Sequence, residues 1–193
     1  MRKKSHLSLA GYIVDVVDAD MIDHPLAFRF GSLEPDLVPT FITTKHRIDL
    51  TFHKLEKKIN KVIDEYDKNK GMTIGLSKDL GIITHYIADY FTFPHNIEYP
   101  GTMTEHIHYE AQLKVDFREF VQKMKEKHAH FQKVNMQSAD EICTFIRKCH
   151  EEYLHAVKSV ENDCRYILQI CAQVVGAILH LLQQNSMPLG CYM

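Results

Sequence analysis

The sequence contains no tryptophan and, across 193 residues, only 8 glycines and 6 prolines. So little Gly and Pro excludes collagen-like and linker-rich chains and argues against a turn-dense all-β fold. Charge of one sign is lacking too, since 23 Lys and Arg stand against 25 Asp and Glu, a formal net charge of −2. The chain therefore has no global basic field to hold duplex nucleic acid, and no stable nucleic-acid complex is expected. No uninterrupted apolar run approaches the roughly 18 residues of a spanning helix, so no transmembrane segment is expected. Met1-Arg2-Lys3-Lys4 is basic, but the apolar stretch after it is short and has no small-residue cleavage site, so we read no signal peptide and expect a cytoplasmic protein. The cysteines, Cys143, Cys149, Cys164, Cys171 and Cys191, are odd in number and form no C-x-x-C pair. A disulfide framework is not expected, and a reducing compartment is.

What is present is a single-domain length, 1–193, sufficient to bury a core without staples. The apolar period is helical nearly throughout. Ser5 to about Val17 reads as a first helix with Leu7, Ala10, Ile13, Val14 and Val17 on one side. Residues 26–42, with Gly31, Pro35 and Pro39, read as an irregular loop. Thr43 or Thr44 is the expected cap of a second helix with an apolar stripe of Ile48, Phe52, Leu55, Ile59 and Ile63. A third helix is predicted from about Thr73 to Phe91, with Leu76, Leu80, Ile83 and Ile87 inward and Phe93-Pro94 ending it. A fourth is predicted from Thr102 or Thr104 to about Lys127. Ser138 caps a fifth, which continues to Gln184 with a break near Asn162. The tail 185–193 is expected to be loose. The fold class expected is all-α, a bundle of five to seven helices.

The unusual entry in the composition is histidine, with 13 residues. Zinc sites need imidazole and carboxylate donors aimed at one point, and donors four apart on a helix share a face. His85/Asp89 and His106/Glu110 have that spacing. Chance alone gives roughly two such pairs in a chain of this composition, so the pairs by themselves carry little. Their context carries more. His85-x3-Asp89-x5-His95-x10-His106-x3-Glu110 places five donors within 26 positions, on two helices joined by a short loop. That is the arrangement of a multinuclear metal site inside a helical bundle. His108 points to another face of its helix, His53 is a partly buried helix residue, and His24, His128, His130, His150, His155 and His180 read as surface or structural. The basic run Lys54 to Lys61 reads as a solvated face. Tyr90, Phe91, Phe93 and Tyr99 read mostly as core, with one or two left to line a pocket.

At these residues the chain resembles the zinc-dependent phospholipase C family, which shares its helical fold with fungal zinc-dependent single-strand nucleases. Ser5-His6-Leu7 looks like the family's N-terminal Ser-His segment. Gly31 to Asp36 resembles its aspartate-bearing loop, and His46 sits where the next histidine is expected. The run from His85-Tyr86-Ile87-Ala88-Asp89 through Phe93-Pro94-His95 resembles the family's His-Tyr-x-x-Asp signature with its following Pro and His. His106-x-x-Tyr109-Glu110 resembles its His-x-x-Tyr-Glu signature.

The resemblance implies two or three Zn2+ ions. His46, His85 and Asp89, with Asp36 nearby, would hold the first; His95, His106 and Glu110 the second; His6 would help hold a third, with Asp89 bridging. Imidazole and carboxylate donors also accept other divalent transition metals. Secreted members of the family use the N-terminal residue as a ligand of the third ion. Here only five residues precede His6 and the first is not aromatic, so the resemblance leaves that ion without its N-terminal ligand. It implies phospholipase C-like hydrolysis of a phosphodiester, a phospholipid head group being one candidate substrate, with Asp36 orienting or deprotonating the attacking water. The alternatives are a nuclease or nucleotide phosphodiesterase on the same fold, and a non-catalytic metal-binding protein.

Overall fold

Hydroxyl side chains start several of the helices. Thr73 accepts from Leu76 N, Ser138 accepts from Glu141 N, and Thr102 and Glu105 form a reciprocal capping box. The computed structural model describes residues 1–17, 21–38, 45–127 and 131–184. Among them are seven α-helices: α1 Lys3–Val16, α2 Pro25–Gly31, α3 Ile48–Asp64, α4 Ile74–Tyr90, α5 Met103–Glu126, α6 Ala139–His155 and α7 Val160–Gln184. Two 3-10 turns, Glu34–Asp36 and Phe93–His95, lie between them, and the described residues form no strand. Thr43, Thr44, Pro39, His128, His130, Cys191 and the tail 185–193 lie outside the described residues.

Helix α4 is the axis of the fold. Its expected inward residues Leu76, Leu80, Ile83 and Ile87 are all buried, and α1, α2, α3 and α7 pack on it. The interior is one cluster of apolar side chains drawn from every helix. The segment 26–42 was expected to be irregular, and part of it is the two-turn helix α2 followed by Glu34–Asp36. Pro25 starts α2 at a position where its missing N–H costs nothing. With Leu26 and Phe30 exposed and only Phe28 and Gly31 buried, α2 is too short to show a period. On α1 the expected Ala10 and Ile13 are buried and Val14 and Val17 pack against the core, but Leu7 is exposed, while Ser5, His6, Leu9 and Tyr12 are buried with the polar His6 pointing inward. The break expected near Asn162 falls at 156–159, and Ser159 Oγ accepts from Asn162 N to start α7.

The lysine run on α3 is not wholly solvated. Lys58 and Lys61 both pair with the buried carboxylate of Asp79 on α4, with Lys61 Nζ at 2.8 Å. His53 is exposed rather than partly buried, since it lies on the outer side of α3. Helix α7 is long and apolar enough by length and composition to cross a membrane, and 67% of its apolar window is buried inside the fold. Cys143, Cys149, Cys164 and Cys171 are free and buried on α6 and α7. Burial pushes the thiols of Cys143 and Cys149 up to about 11, that of Cys164 up to about 12, and that of Cys171 well above its ordinary value.

Two contacts fix the helices around the inner end of α4. Helix α2 crosses α4 backbone to backbone: a Cβ on Gly81 would stand 2.1 Å from Phe28 O, and one on Gly31 2.0 Å from Lys78 O. On the far side, Asn96 Nδ2 donates to the carbonyls of Tyr90 and Thr92, which turns its Oδ1 toward His150 Nε2–H at 2.7 Å. His150 is buried beside Phe91 and Tyr153. Burial pushes its imidazole down to about 4; Glu98 and Asp49 oppose that shift and Lys158 adds to it.

Both contacts yield measurable expectations. Gly81→Ala should lower the unfolding free energy by about 2 kcal/mol or more, because backbone cannot move aside. Gly75→Ala, whose nearest atom would be 3.8 Å away, should be neutral or slightly stabilising in the same urea titration. For His150 the folded value lies below the ordinary 6.5, so its contribution is complete above pH about 6.5 and is lost as pH falls toward about 4. Wild type should therefore lose on the order of 2–3 kcal/mol more than His150→Gln between those limits, read from urea midpoints.

Candidate metal centre

The glycine crossing sets the first part of the site. It brings the Ser32 carbonyl, just past α2, to 2.9 Å from His85 Nδ1. A carbonyl can only accept, so Nδ1 carries the proton and the lone pair of His85 is on Nε2. That atom stands 3.0 Å from His46 Nδ1 and 3.2 Å from Asp89 Oδ2, and His46 Nδ1 is 3.0 Å from the same oxygen. Asp36 Oδ1, from the turn after α2, is 3.8 Å from both histidine nitrogens. All four donor atoms lie within 4.8 Å of one another. Ligands of a tetrahedral zinc sit about 3.3 Å apart when its bonds are about 2.0 Å, so the spacing and chemistry of this set fit the ion.

The second group is built from the turn Phe93–His95 and the start of α5. His106 and Glu110 are one helical turn apart, and His106 Nε2 is 3.3 Å from Glu110 Oε1. His95 Nε2 reaches the same oxygen at 3.1 Å. Burial alone would raise the carboxyl of Glu110, but His106 and His95 hold it far below the usual carboxylate range.

Asp89 joins the two groups. It is 1% exposed, and its two oxygens face different partners. Oδ2 faces His46, His85 and, at 3.7 Å, His95 Nδ1. Oδ1 faces His6 Nε2 at 3.4 Å and the α-amino group of Met1 at 2.6 Å. Burial would raise the Asp89 carboxyl, yet the Met1 ammonium and the surrounding imidazoles hold it well below its ordinary value. His6 is fully buried against His85, with ring centroids 4.0 Å apart, and neither of its nitrogens makes a hydrogen bond. Burial and the neighbouring His85 push it down to about 3, so it is neutral and keeps a free lone pair. An imidazole orphaned in the interior beside a carboxylate is what a missing cation would leave, and we take it as a second sign that the residues fit zinc.

All eight residues singled out in the sequence, His6, Asp36, His46, His85, Asp89, His95, His106 and Glu110, thus fall in one connected cluster. The resemblance left the third ion without its N-terminal ligand, and in the structure the first residue does reach the cluster. The Met1 amine lies 2.6 Å from Asp89 Oδ1, 3.0 Å from His95 Nε2 and 3.1 Å from Glu110 Oε1. Burial lowers its affinity for a proton, but Asp89 and Glu110 outweigh that and raise it. Helix α1 makes this possible, because turning His6 inward carries the residues just before it to the same place. His108 is exposed.

Sequence reasoning missed the support behind the donors. Asp163, fully buried on α7, accepts from Phe93 N at 2.9 Å, Tyr109 Oη at 2.9 Å and Tyr153 Oη at 2.7 Å. It thereby ties the turn that carries His95 to the α5 residue beside Glu110. Burial pushes its carboxyl up to about 6. Asn96 and His150 hold the other side of that turn. The Ser32 carbonyl is a backbone atom and leaves no side-chain signal; Asp163 could have been suspected only as an acid within an apolar stripe.

The cluster opens into a cavity of about 1050 Å³. Asp36, His46, His95, His106 and Glu110 line its floor, and Tyr99 is the aromatic residue at its wall, while Tyr90 and Phe91 are core. Of the first group, Asp36 is the most open, with its side chain 17% exposed against 9% or less for the other three.

No curated protein and no solved structure gives a significant match to the chain. A family model described as zinc dependent phospholipase C matches residues 5–163, a span that runs from the residue before His6 to Asp163 and takes in every donor described above. The chain therefore belongs to the zinc-dependent phospholipase C family.

Proposed function

We propose that the protein is a zinc-dependent phosphodiester hydrolase of phospholipase C type. The observation that carries this reading is the two-sided Asp89 carboxylate, with His46 and His85 on one oxygen and His6 on the other, beneath a cavity wide enough for a head group. His46, His85 and Asp89, with Asp36 beside them, would hold one ion and His95, His106 and Glu110 a second. His6 with Asp89 Oδ1 would hold a third, for two or three ions in all. When bound, zinc supplies Lewis acidity, which acidifies water and neutralises charge on phosphoryl oxygens and the leaving group.

The chain's own residues would do the rest. Ser32 fixes the tautomer of His85, and Asp163 and Asn96 hold the turn carrying His95. Asp36 is the loosest member of its group and the one most open to the cavity, which suits a carboxylate that accepts a proton from the attacking water. Water oxygen bonds to phosphorus as the bond from phosphorus to the leaving alcohol breaks. The proton held by Asp36 balances the one that the departing alcohol takes up. The substrate is a phosphoester, with a phospholipid head group the first candidate; no stable nucleic-acid complex is expected.

Two experiments test the reading. Asp89→Ala should retain less zinc than any other single alanine variant, measured by metal analysis of purified protein, because one carboxylate serves both donor sets; full stoichiometry would remove its bridging role. Asp36→Asn, zinc-loaded, should keep most of its metal and lose about 10²–10⁴-fold in kcat on bis(p-nitrophenyl) phosphate with KM little changed. Near-normal turnover would take Asp36 out of the reaction, and loss of an ion would make it a ligand instead.

A further inference from the structure

The cavity above the centre has a charge character that the chain as a whole lacks. Six cationic residues line it: Arg2, Lys3, Lys4, Lys45, Arg47 and Lys114. The acidic side chains on its lining are Asp36 and Glu110, both on the floor among the zinc donors. In a chain with a net charge of −2, this is a local concentration and not a reflection of composition.

Two of the six are already engaged. Arg47 pairs with Asp49, and Arg2 donates to Ile107 O at 3.0 Å. Lys3, Lys4, Lys45 and Lys114 form no ion pair among the described residues. They stand on three sides of the floor: at the start of α1, next to His46, and one turn beyond Glu110 on α5. Helix α1 also begins here with no side-chain cap, so the positive end of its dipole faces the same space.

The wall is equally informative for what it does not offer. A quaternary ammonium group is held by aromatic faces or carboxylates. Among the described residues, Tyr99 alone, apart from the histidines, supplies an aromatic face, and no carboxylate lines the cavity above the floor. Among the described residues, a cationic head group would meet four ammonium groups outside any ion pair and no aromatic cage.

We propose that the cavity selects phosphodiesters whose head-group alcohol, the one that stays on phosphorus, carries a second acidic group, a phosphomonoester above all, and rejects those bearing a quaternary ammonium. This rests on the reading of the floor as a hydrolytic centre and adds the substrate class. The reacting diester occupies the floor, and Lys45, Lys114 and the lysines of α1 receive the second anion. A lipid head group and its free glycerol diester share this chemistry.

The test uses the full zinc-loaded chain with glycerophosphoglycerophosphate and glycerophosphocholine, and with the dihexanoyl lipids that carry the same two head groups. Hydrolysis is followed as kcat/KM, and binding is measured separately by calorimetry. The anionic member of each pair is expected to win by about tenfold or more, an advantage that shrinks as salt shortens the Debye length. Lys45→Glu and Lys114→Glu should each remove most of that advantage, with the anionic compounds losing and the choline compounds holding or gaining, and Lys→Gln at either position should fall between. A preference confined to the lipids assigns a lipid substrate; one shared by the deacylated diesters assigns recognition to the head group alone, and either supports the proposal. Equal kcat/KM and equal affinity for both members, or a preference that survives both charge reversals, would overturn it and leave the hydrolase standing. Calorimetric preference with no hydrolysis of any diester would instead overturn the hydrolase and leave the anion recognition. Circular dichroism checks that the variants are folded.

Discussion

A carboxylate taken almost completely out of water keeps its charge only if the protein supplies compensation at close range, and Asp89 receives that compensation from every side. The groups around it come from distant parts of the sequence: the start of the chain, the segment before α3, the middle of α4 and the turn after it. Each of those elements has to be in place for the next to be useful. Helix α1 must turn His6 inward, which exposes Leu7. Helix α2 must touch α4 closely enough for Ser32 to reach His85, which needs glycine on both helices at the contact. The fold can be understood as the set of helix placements that lets one buried anion sit among imidazoles.

The parts of this arrangement that depend on position along one helix were readable in the sequence. His85 and Asp89 share a face of α4, and His106 and Glu110 share a face of α5, by the geometry of the helix alone. The caps Thr73, Thr102 and Ser138 were readable for a similar reason, because a cap is a local hydrogen bond. Helix α2 was not, since two turns with two exposed hydrophobics carry no period. Leu7 is the exception on the inward face of α1, because the buried His6 beside it breaks the rule that apolar residues mark the core. Asp79 turned two lysines of α3 toward the core through a partner on another helix, which no local pattern encodes. The backbone carbonyl of Ser32, the amine of Met1 and the carboxylate of Asp163 act through tertiary contacts, and those exist only once the helices are packed.

Behind the donors lies a layer of hydrogen-bonded polar groups. Asp163 takes three hydrogen bonds, Asn96 makes three, and His150 is kept neutral by burial. Such groups hold the geometry of the donors in front of them.

The buried thiols of α6 and α7 bear on how the centre is filled. Thiolate is a soft, strong donor for zinc, and a chain rich in accessible thiolates would compete with its own imidazole site while it loads. Here burial keeps Cys143, Cys149, Cys164 and Cys171 in the protonated form and away from solvent, and Cys171 Sγ donates to the Thr84 carbonyl beside His85. Once folded, the described residues offer an incoming ion one kind of coordination chemistry. The order of events then matters: metal that arrives after folding meets nitrogen and oxygen at the centre, whereas metal present while α6 and α7 are still unpacked also meets their sulfur.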